Sequence, residues 1–207
     1  MTIDQKFIDQ FVNITSKAAV ASYNLIGKKD KIAADKATVD SMRNNLNQLN
    51  IKGKIVIGEG ELDEAPMLYI GEEVGTRNGP EIDIAVDPLE GTNFAANNLP
   101  GALSVIAIAE KNNLFNAPET YMEKISANVN EKGVVDLDYS TKENIFNLCE
   151  YLNKKPESIT ACIMDRPRHK DIIDELNILG VKVKLITDGD VSGALLVTDD
   201  KYGVDIF

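Results

Sequence analysis

Six carboxylates crowd two short stretches of the chain: Glu59, Glu61, Asp63 and Glu64 in GEGELDE, and Asp87 and Glu90 in DPLEGT. Each lies among glycines or beside a proline, residue types that bend a backbone tightly. Clustered carboxylate oxygens are what hard divalent cations such as magnesium and manganese require, and a cation so held could act on a phosphate. In Asp87-Pro88-Leu89-Glu90-Gly91-Thr92, Pro88 fixes one backbone angle and biases Asp87 towards extended backbone, while Gly91 permits a close turn. The two acids can then converge, with the Thr92 hydroxyl turned to the same spot. Two carboxylates on one side of a turn repel unless a cation sits between them. Thr92 could orient a water for attack. An ordinary Asp-Pro turn is the competing explanation, and it weakens because Glu59 stands at a second strand end.

Such acids need strands to carry them. Residues 55–57 form an apolar run directly before Gly58-Glu59, and residues 81–87 alternate polar and apolar as a half-buried strand does. Upstream, Phe7, Phe11, Ile14, Ala18, Ala21 and Leu25 recur at helical spacing, with Gly27 suited to the helix end. Val39, Met42, Leu46 and Leu49 mark a second helix, and Asp35 stands at or near its start. Asp35 is either an acid favouring the helix dipole or a third arm of the carboxylate cluster. Lys31 is either a phosphate contact or a solvated lysine. Residues 102–109 predict a strand buried on both faces, Asn112-Asn113 a hairpin-like turn, and residues 134–139 a further strand.

From residue 141 the pattern becomes a regular alternation: a helix over 141–152, a strand over 159–164, a helix over 168–179 and a strand over 181–186. That is a βαβ unit with a parallel strand pair. Ligands of such sheets gather beyond the carboxyl ends of the strands, which here carry Asp165-Arg166-Pro167-Arg168-His169 and Thr187-Asp188-Gly189-Asp190. Arg166 and Arg168 can grip a phosphate through paired hydrogen bonds, helped by backbone N–H groups at the next helix start. Asp188 and Asp190 could bond sugar hydroxyls, or Asp190 could merely cap a helix. Tyr121 could stack on or bond to a sugar, or serve as a partly buried structural residue. His169, the single histidine, excludes multi-histidine metal sites and reads as a solvated helix residue. Residues 202–207 are strand-like and apolar, as though the chain stops inside a sheet.

Bulk properties narrow the classes. With 207 residues and 43% hydrophobic content the chain can bury a sizeable core. A net charge of −11 argues against nucleic acid as a partner, and it means that a local cation must reverse the field for any phosphate ligand. No apolar run reaches the roughly 18 residues that span a bilayer, and no signal-peptide pattern opens the sequence. Cys149 and Cys162 form no CxxC motif and read as buried cytosolic thiols, so a cytoplasmic, non-membrane protein is expected. A P-loop is absent, and Asp63 replaces the third glycine of a dinucleotide fingerprint.

Taken together, IVIGEGELDEAPMLYIGEEVG, EIDIAVDPLEGT, APETYMEK, MDRPRHK and TDGDVSGAL resemble class II fructose-1,6-bisphosphatase, within the metal-dependent sugar and inositol phosphatases. The resemblance runs from about Phe7 to the last residue. It implies a layered α-β-α-β-α fold, truncated within the second sheet. An N-terminal α/β domain over 1–140 would carry the metal-binding carboxylates, and a partial second α/β domain over 141–207 the substrate loops. The implied activity is hydrolysis of the 1-phosphate of fructose 1,6-bisphosphate to fructose 6-phosphate, with sedoheptulose 1,7-bisphosphate as a related substrate. Two or more Mn²⁺ or Mg²⁺ ions are implied. Asp35 and Glu59 would bind one, and Asp87 and Glu90 a second, assisted by the Leu89 carbonyl. Thr92 would help activate the attacking water, with Asp63 near the catalytic centre. Glu90, Gly91 and Thr92, together with Lys31, Tyr121, Arg166, Pro167, Arg168, Asp188, Gly189 and Asp190, would hold the sugar bisphosphate. Members are often dimers or tetramers. They also continue through a glycine-rich loop, roughly GIGGAPEG, that supplies a further metal-binding glutamate and does not occur here. The alternative is therefore a non-catalytic relative that binds sugar phosphate or a full-length partner.

Overall fold

The computed structural model describes residue 3 and residues 5–59, 67–117 and 120–207, and falls into two units, Met1–Thr120 and Tyr121–Phe207. The second unit thus begins well before residue 141, where the change in sequence pattern puts it. In the first unit, α1 (Gln5–Ser22) and α2 (Lys31–Leu46) pack together and against one sheet. The helical spacing delivers Phe11, Ile14 and Ala18 from α1, and Val39, Met42 and Leu46 from α2, into one core with Ile51, Ile55, Leu68, Ile82 and Ile84. Met42 and Leu46 are fully buried, each contributing about 1.5–3 kcal/mol through removal from water. A 3-10 turn, Tyr23–Leu25, ends the first helical stretch ahead of Gly27. Asp30 caps α2 by accepting a hydrogen bond from the Ala33 N–H at 2.9 Å, so Asp35 stands one turn inside the helix and the capping role belongs to Asp30.

The sheet contains β1 (Lys52–Ile57), β2 (Glu73–Val74), β3 (Glu81–Glu90) and β4 (Leu103–Glu110), in the order β2-β1-β3-β4. β1 runs parallel to β3, and the other pairings are antiparallel. A short helix, α3 (Thr92–Ala96), follows β3. β4 departs from the fully buried strand that its apolar run predicts. It is one of the two edge strands of this sheet among the described residues, paired only with β3, and its side chains are half-buried apart from the exposed Ala107. The turn after β4 contains Asn112 at φ 65°, but it leads into irregular chain and not into a hairpin partner among the described residues. There the buried Asp83 carboxylate accepts from the Asn113 and Leu114 N–H groups.

The second unit builds the expected βαβ unit: α4 (Thr141–Leu152), β5 (Thr160–Met164), α5 (Lys170–Ile178), β6 (Lys182–Ile186) and α6 (Asp190–Leu195), with β5 and β6 parallel. Successive residues of β5 face opposite sides. Ala161 joins Ile145, Leu148 and Leu176 under α4 and α5, and Cys162 joins Val197 and Val204 on the other face. Burial raises both cysteine thiols above their ordinary value, which makes them poor nucleophiles. Near the C-terminus, Ile206 bridges to both Ala161 and Ala127, so these residues lie between β5 and an earlier segment of the unit. Tyr202 itself belongs to a 3-10 turn, Asp200–Tyr202, so the strand-like run is shorter than its composition suggests.

Residues 134–139 are not a strand. Val134 reaches the core, but the Asp136 N–H donates to Asn144 Oδ1, the Asp138 N–H to Asp136 Oδ1 and the Tyr139 N–H to Asp136 O. Side-chain and turn bonds take the donors that a ladder would need. Ser140 then starts α4 with a capping box, its hydroxyl accepting from the Glu143 N–H and donating to Glu143 Oε2. These bonds hold the Glu143 carboxyl below its ordinary value. Ser140→Ala is expected to lower the melting temperature of the chain by about 2–4 °C near neutral pH. The carboxylate's share is complete above the ordinary glutamate value and fades as pH falls through the lower folded one, so the deficit should narrow in acid melts. No helix among the described residues is long and apolar enough to cross a membrane.

Candidate metal and substrate site

Glu59 owes its position to a close approach of two backbones. Its N–H donates to Leu68 O at 3.0 Å, and a Cβ on the preceding Gly58 would lie 2.0 Å from that same carbonyl oxygen. Only glycine lets residues 68–69 lie against the end of β1. Leu68 is itself fully buried at φ 57°, a strained conformation for a branched side chain. It is held by the buried Glu72 carboxylate, which accepts from the Leu68 N–H and pairs with Arg43 Nε of α2 at 2.5 Å. A chain of contacts thus runs from α2 through Arg43, Glu72 and Leu68 to Glu59.

Asp87 and Glu90 close β3. Two residues three apart on a regular strand face opposite sides. Here Asp87 pairs with Val105 and Glu90 with Leu103, so β3 takes three steps where β4 takes two. The extra residue breaks the alternation: Asp87 is exposed, whereas Pro88, Leu89 and Glu90 are all buried, Glu90 to 5% exposure. Gly91 turns the chain at φ 79°, ψ 47° and starts α3, and a Cβ there would meet the Phe94 ring at 2.9 Å. Thr92, half-buried, is the first residue of α3.

The second turn of α2 reaches this place. Ala34, beside the half-buried Asp35, packs with Leu89 and Ala95. The Gly27 and Lys29 N–H groups donate to Ala95 O and Ala96 O at 2.9 Å, tying the link before α2 to α3. Lys31, the first residue of α2, is exposed. β1 and β3 are parallel with Ile57 opposite Ala85, so Glu59 and Asp87 each follow by two residues at the same end of the sheet. The fold therefore gathers Asp35, Glu59, Asp87, Leu89, Glu90 and Thr92 at one end of the first unit. Among the described residues, no three Asp, Glu, His or Cys side chains close into a group that could hold a metal ion. Glu61, Asp63 and Glu64 lie outside the described residues. The donor types, carboxylates and a carbonyl with no imidazole or thiolate, suit a hard divalent cation.

In the second unit the carboxyl ends of β5 and β6 lie side by side, with the Asp165 N–H donating to Ile186 O at 2.8 Å. Arg166 precedes a 3-10 turn, Pro167–His169, and its Nη1 donates to Asp165 O. His169 is half-buried outside α5, not a solvated helix residue, and its Nδ1 lies 2.8 Å from Met164 O. A carbonyl only accepts, so Nδ1 carries the hydrogen. Gly189, buried at φ 76°, starts α6, and Asp190 is the first residue of that helix, not its cap. The Arg168 guanidinium carbon sits 4.4 Å from the centre of the Tyr121 ring, and Lys124 Nζ sits 2.6 Å from Asp190 Oδ2. Tyr121 is highly exposed, which sets aside the buried structural reading. The unit brings Tyr121, Arg166, Arg168, Asp188 and Asp190 to one edge. Lys124, three residues beyond Tyr121, joins them without any periodicity that could have announced it.

Comparison with known proteins identifies the family of the chain. Residues 5–207 match the model of the family described as bacterial fructose-1,6-bisphosphatase, glpX-encoded. Proteins named D-fructose 1,6-bisphosphatase class 2/sedoheptulose 1,7-bisphosphatase are close in sequence. That of Synechococcus sp. (strain CC9902) is 51% identical over 193 residues, covering 93% of this chain and 58% of the relative. That of Prochlorococcus marinus (strain MIT 9301) is 48% identical over the same coverage. That of Thermosynechococcus vestitus (strain NIES-2133 / IAM M-273 / BP-1) is 48% identical over 198 residues, covering 90% of this chain and 57% of the relative. The chain spans somewhat over half the length of these relatives, and within that span it belongs to the bacterial, glpX-encoded fructose-1,6-bisphosphatase family.

Proposed function

We propose that this chain carries the metal-ligand turn and the substrate loops of a divalent-metal-dependent sugar bisphosphatase. Its reaction is hydrolysis of the 1-phosphate of fructose 1,6-bisphosphate to fructose 6-phosphate and phosphate. Sedoheptulose 1,7-bisphosphate is the second substrate, since the relatives' names pair the two activities. The observation that carries this reading is the break of strand alternation between Asp87 and Glu90, beside the strand end bearing Glu59. Asp35 and Glu59 hold one cation, and Asp87, Glu90 and the Leu89 carbonyl a second, with Mn²⁺ or Mg²⁺ as the ions. Bound there, the cations supply Lewis-acid neutralisation of charge developing on the phosphoryl oxygens. Thr92 orients the attacking water through its hydroxyl, and Asp63 is a further catalytic residue. Glu90, Gly91 and Thr92 line the reacting phosphate, and Lys31 meets its charge. Tyr121, Arg166, Pro167, Arg168, Asp188, Gly189 and Asp190 hold the sugar bisphosphate. The protein works in the cytoplasm as a dimer or tetramer, away from nucleic acid and membranes.

A second reading, sugar-phosphate binding without turnover, is favoured by one observation: no three acids close into a metal group among the described residues. Phosphate release with Mn²⁺ or Mg²⁺ from fructose 1,6-bisphosphate, sedoheptulose 1,7-bisphosphate, fructose 6-phosphate and inositol monophosphate, run beside calorimetry, separates the two. The proposal expects metal-dependent release from the bisphosphates alone. Calorimetric binding with no release would support the second reading.

A further inference from the structure

The segment opening the second unit has no regular secondary structure, yet two of its side chains reach the two loops at the strand ends. Tyr121 lies under the Arg168 guanidinium, and Lys124 pairs with Asp190, the first residue of α6. The Lys124 and Asp190 side chains are 44% and 34% exposed, a setting in which an ion pair adds little to stability. Its value lies instead in the charge of the loops. They carry Arg166 and Arg168 against Asp165, Asp188 and Asp190, so the acids prevail until Lys124 is counted. A phosphate dianion approaching the two arginines would otherwise meet the Asp190 carboxylate uncompensated.

Resting on the reading that these loops hold a sugar bisphosphate, we propose that Lys124 is a positioning residue for that substrate. Its ammonium offsets the Asp190 charge and holds the carboxylate in one orientation. Asp190 can then accept from a sugar hydroxyl without repelling the phosphate on Arg166 and Arg168. Tyr121 acts in parallel from the same strap, fixing the plane of the Arg168 guanidinium by stacking.

The test uses the 207-residue chain with Lys124→Met, Lys124→Arg, Asp190→Asn and the Lys124→Met/Asp190→Asn double variant. Calorimetric titration with fructose 1,6-bisphosphate should weaken about tenfold in Lys124→Met, with the deficit shrinking as salt rises. Lys124→Arg should recover most of the loss. The double variant should be no weaker than Asp190→Asn alone, since the lysine then has no carboxylate to offset. Amide hydrogen exchange over residues 189–192, measured without ligand, should quicken in Lys124→Met and return towards wild type in Lys124→Arg. Wild-type affinity in Lys124→Met, or no rescue by arginine, would overturn the proposal alone. A wild-type chain that binds no sugar bisphosphate would overturn the substrate reading, and the proposal with it.

Discussion

Replacing Asp87 by asparagine, or Glu90 by glutamine, is expected to lower metal-dependent phosphate release from fructose 1,6-bisphosphate by roughly 10²–10³-fold. Both changes keep size and shape and remove only a negative charge, so they act on cation binding more than on packing. Glu90 makes the sharper case because it is buried at the strand end, where water screens its charge weakly. A second readout does not depend on turnover. A cation that binds the folded chain stabilises it by about 2.7 kcal/mol at a hundredfold excess over its Kd, which raises the melting temperature by roughly 5–10 °C. Wild type should show that rise with Mn²⁺ and the variants should lose most of it. Undiminished release in either variant would remove that residue from the ligand set.

The largest structural effect is expected from Gly58→Ala. The added methyl would stand 2.0 Å from Leu68 O and 2.6 Å from Ile55 Cγ2, and the first of these is backbone that cannot swing aside. Overpacking of this kind costs about 1–3 kcal/mol, and more where backbone must move. A drop of roughly 6–12 °C in melting temperature follows at the upper end. Because Glu59 receives its place from the same Leu68 carbonyl, metal affinity should fall along with stability. A wild-type melting curve for Gly58→Ala would show that the two backbones can part at no cost.

What the sequence made legible follows from how far each signal reaches along the chain. The acids at the ends of β1 and β3 and the βαβ unit of residues 160–186 rest on local periodicity and on turn residues beside it. Asp87, Glu90 and Thr92 stand out because proline and glycine punctuate them. Residues 134–139 mimic a strand in composition, and Asn144, from the following helix, decides otherwise together with turn bonds to Asp136. The exposure of β4 depends on its rank in the sheet, which no apolar run encodes. Arg43 with Glu72, and Lys124 with Asp190, join residues far apart in sequence, and a single charged side chain leaves no periodic trace of its partner. Gly58 looked like a turn glycine, although the carbonyl that requires it belongs to a segment ten residues later.

The uneven step between β3 and β4 turns on parity. Asp87 and Glu90 are separated by an odd number of bonds along a strand, and an odd separation means opposite faces unless one residue is surplus. Surface turns usually tolerate a residue more or less. Here three steps of regular strand would turn the two acids to opposite faces, and the surplus residue is what lets them share one. In a tetrapeptide of this length the bulge, and not the identity of the side chains, brings both acids to one side of the strand.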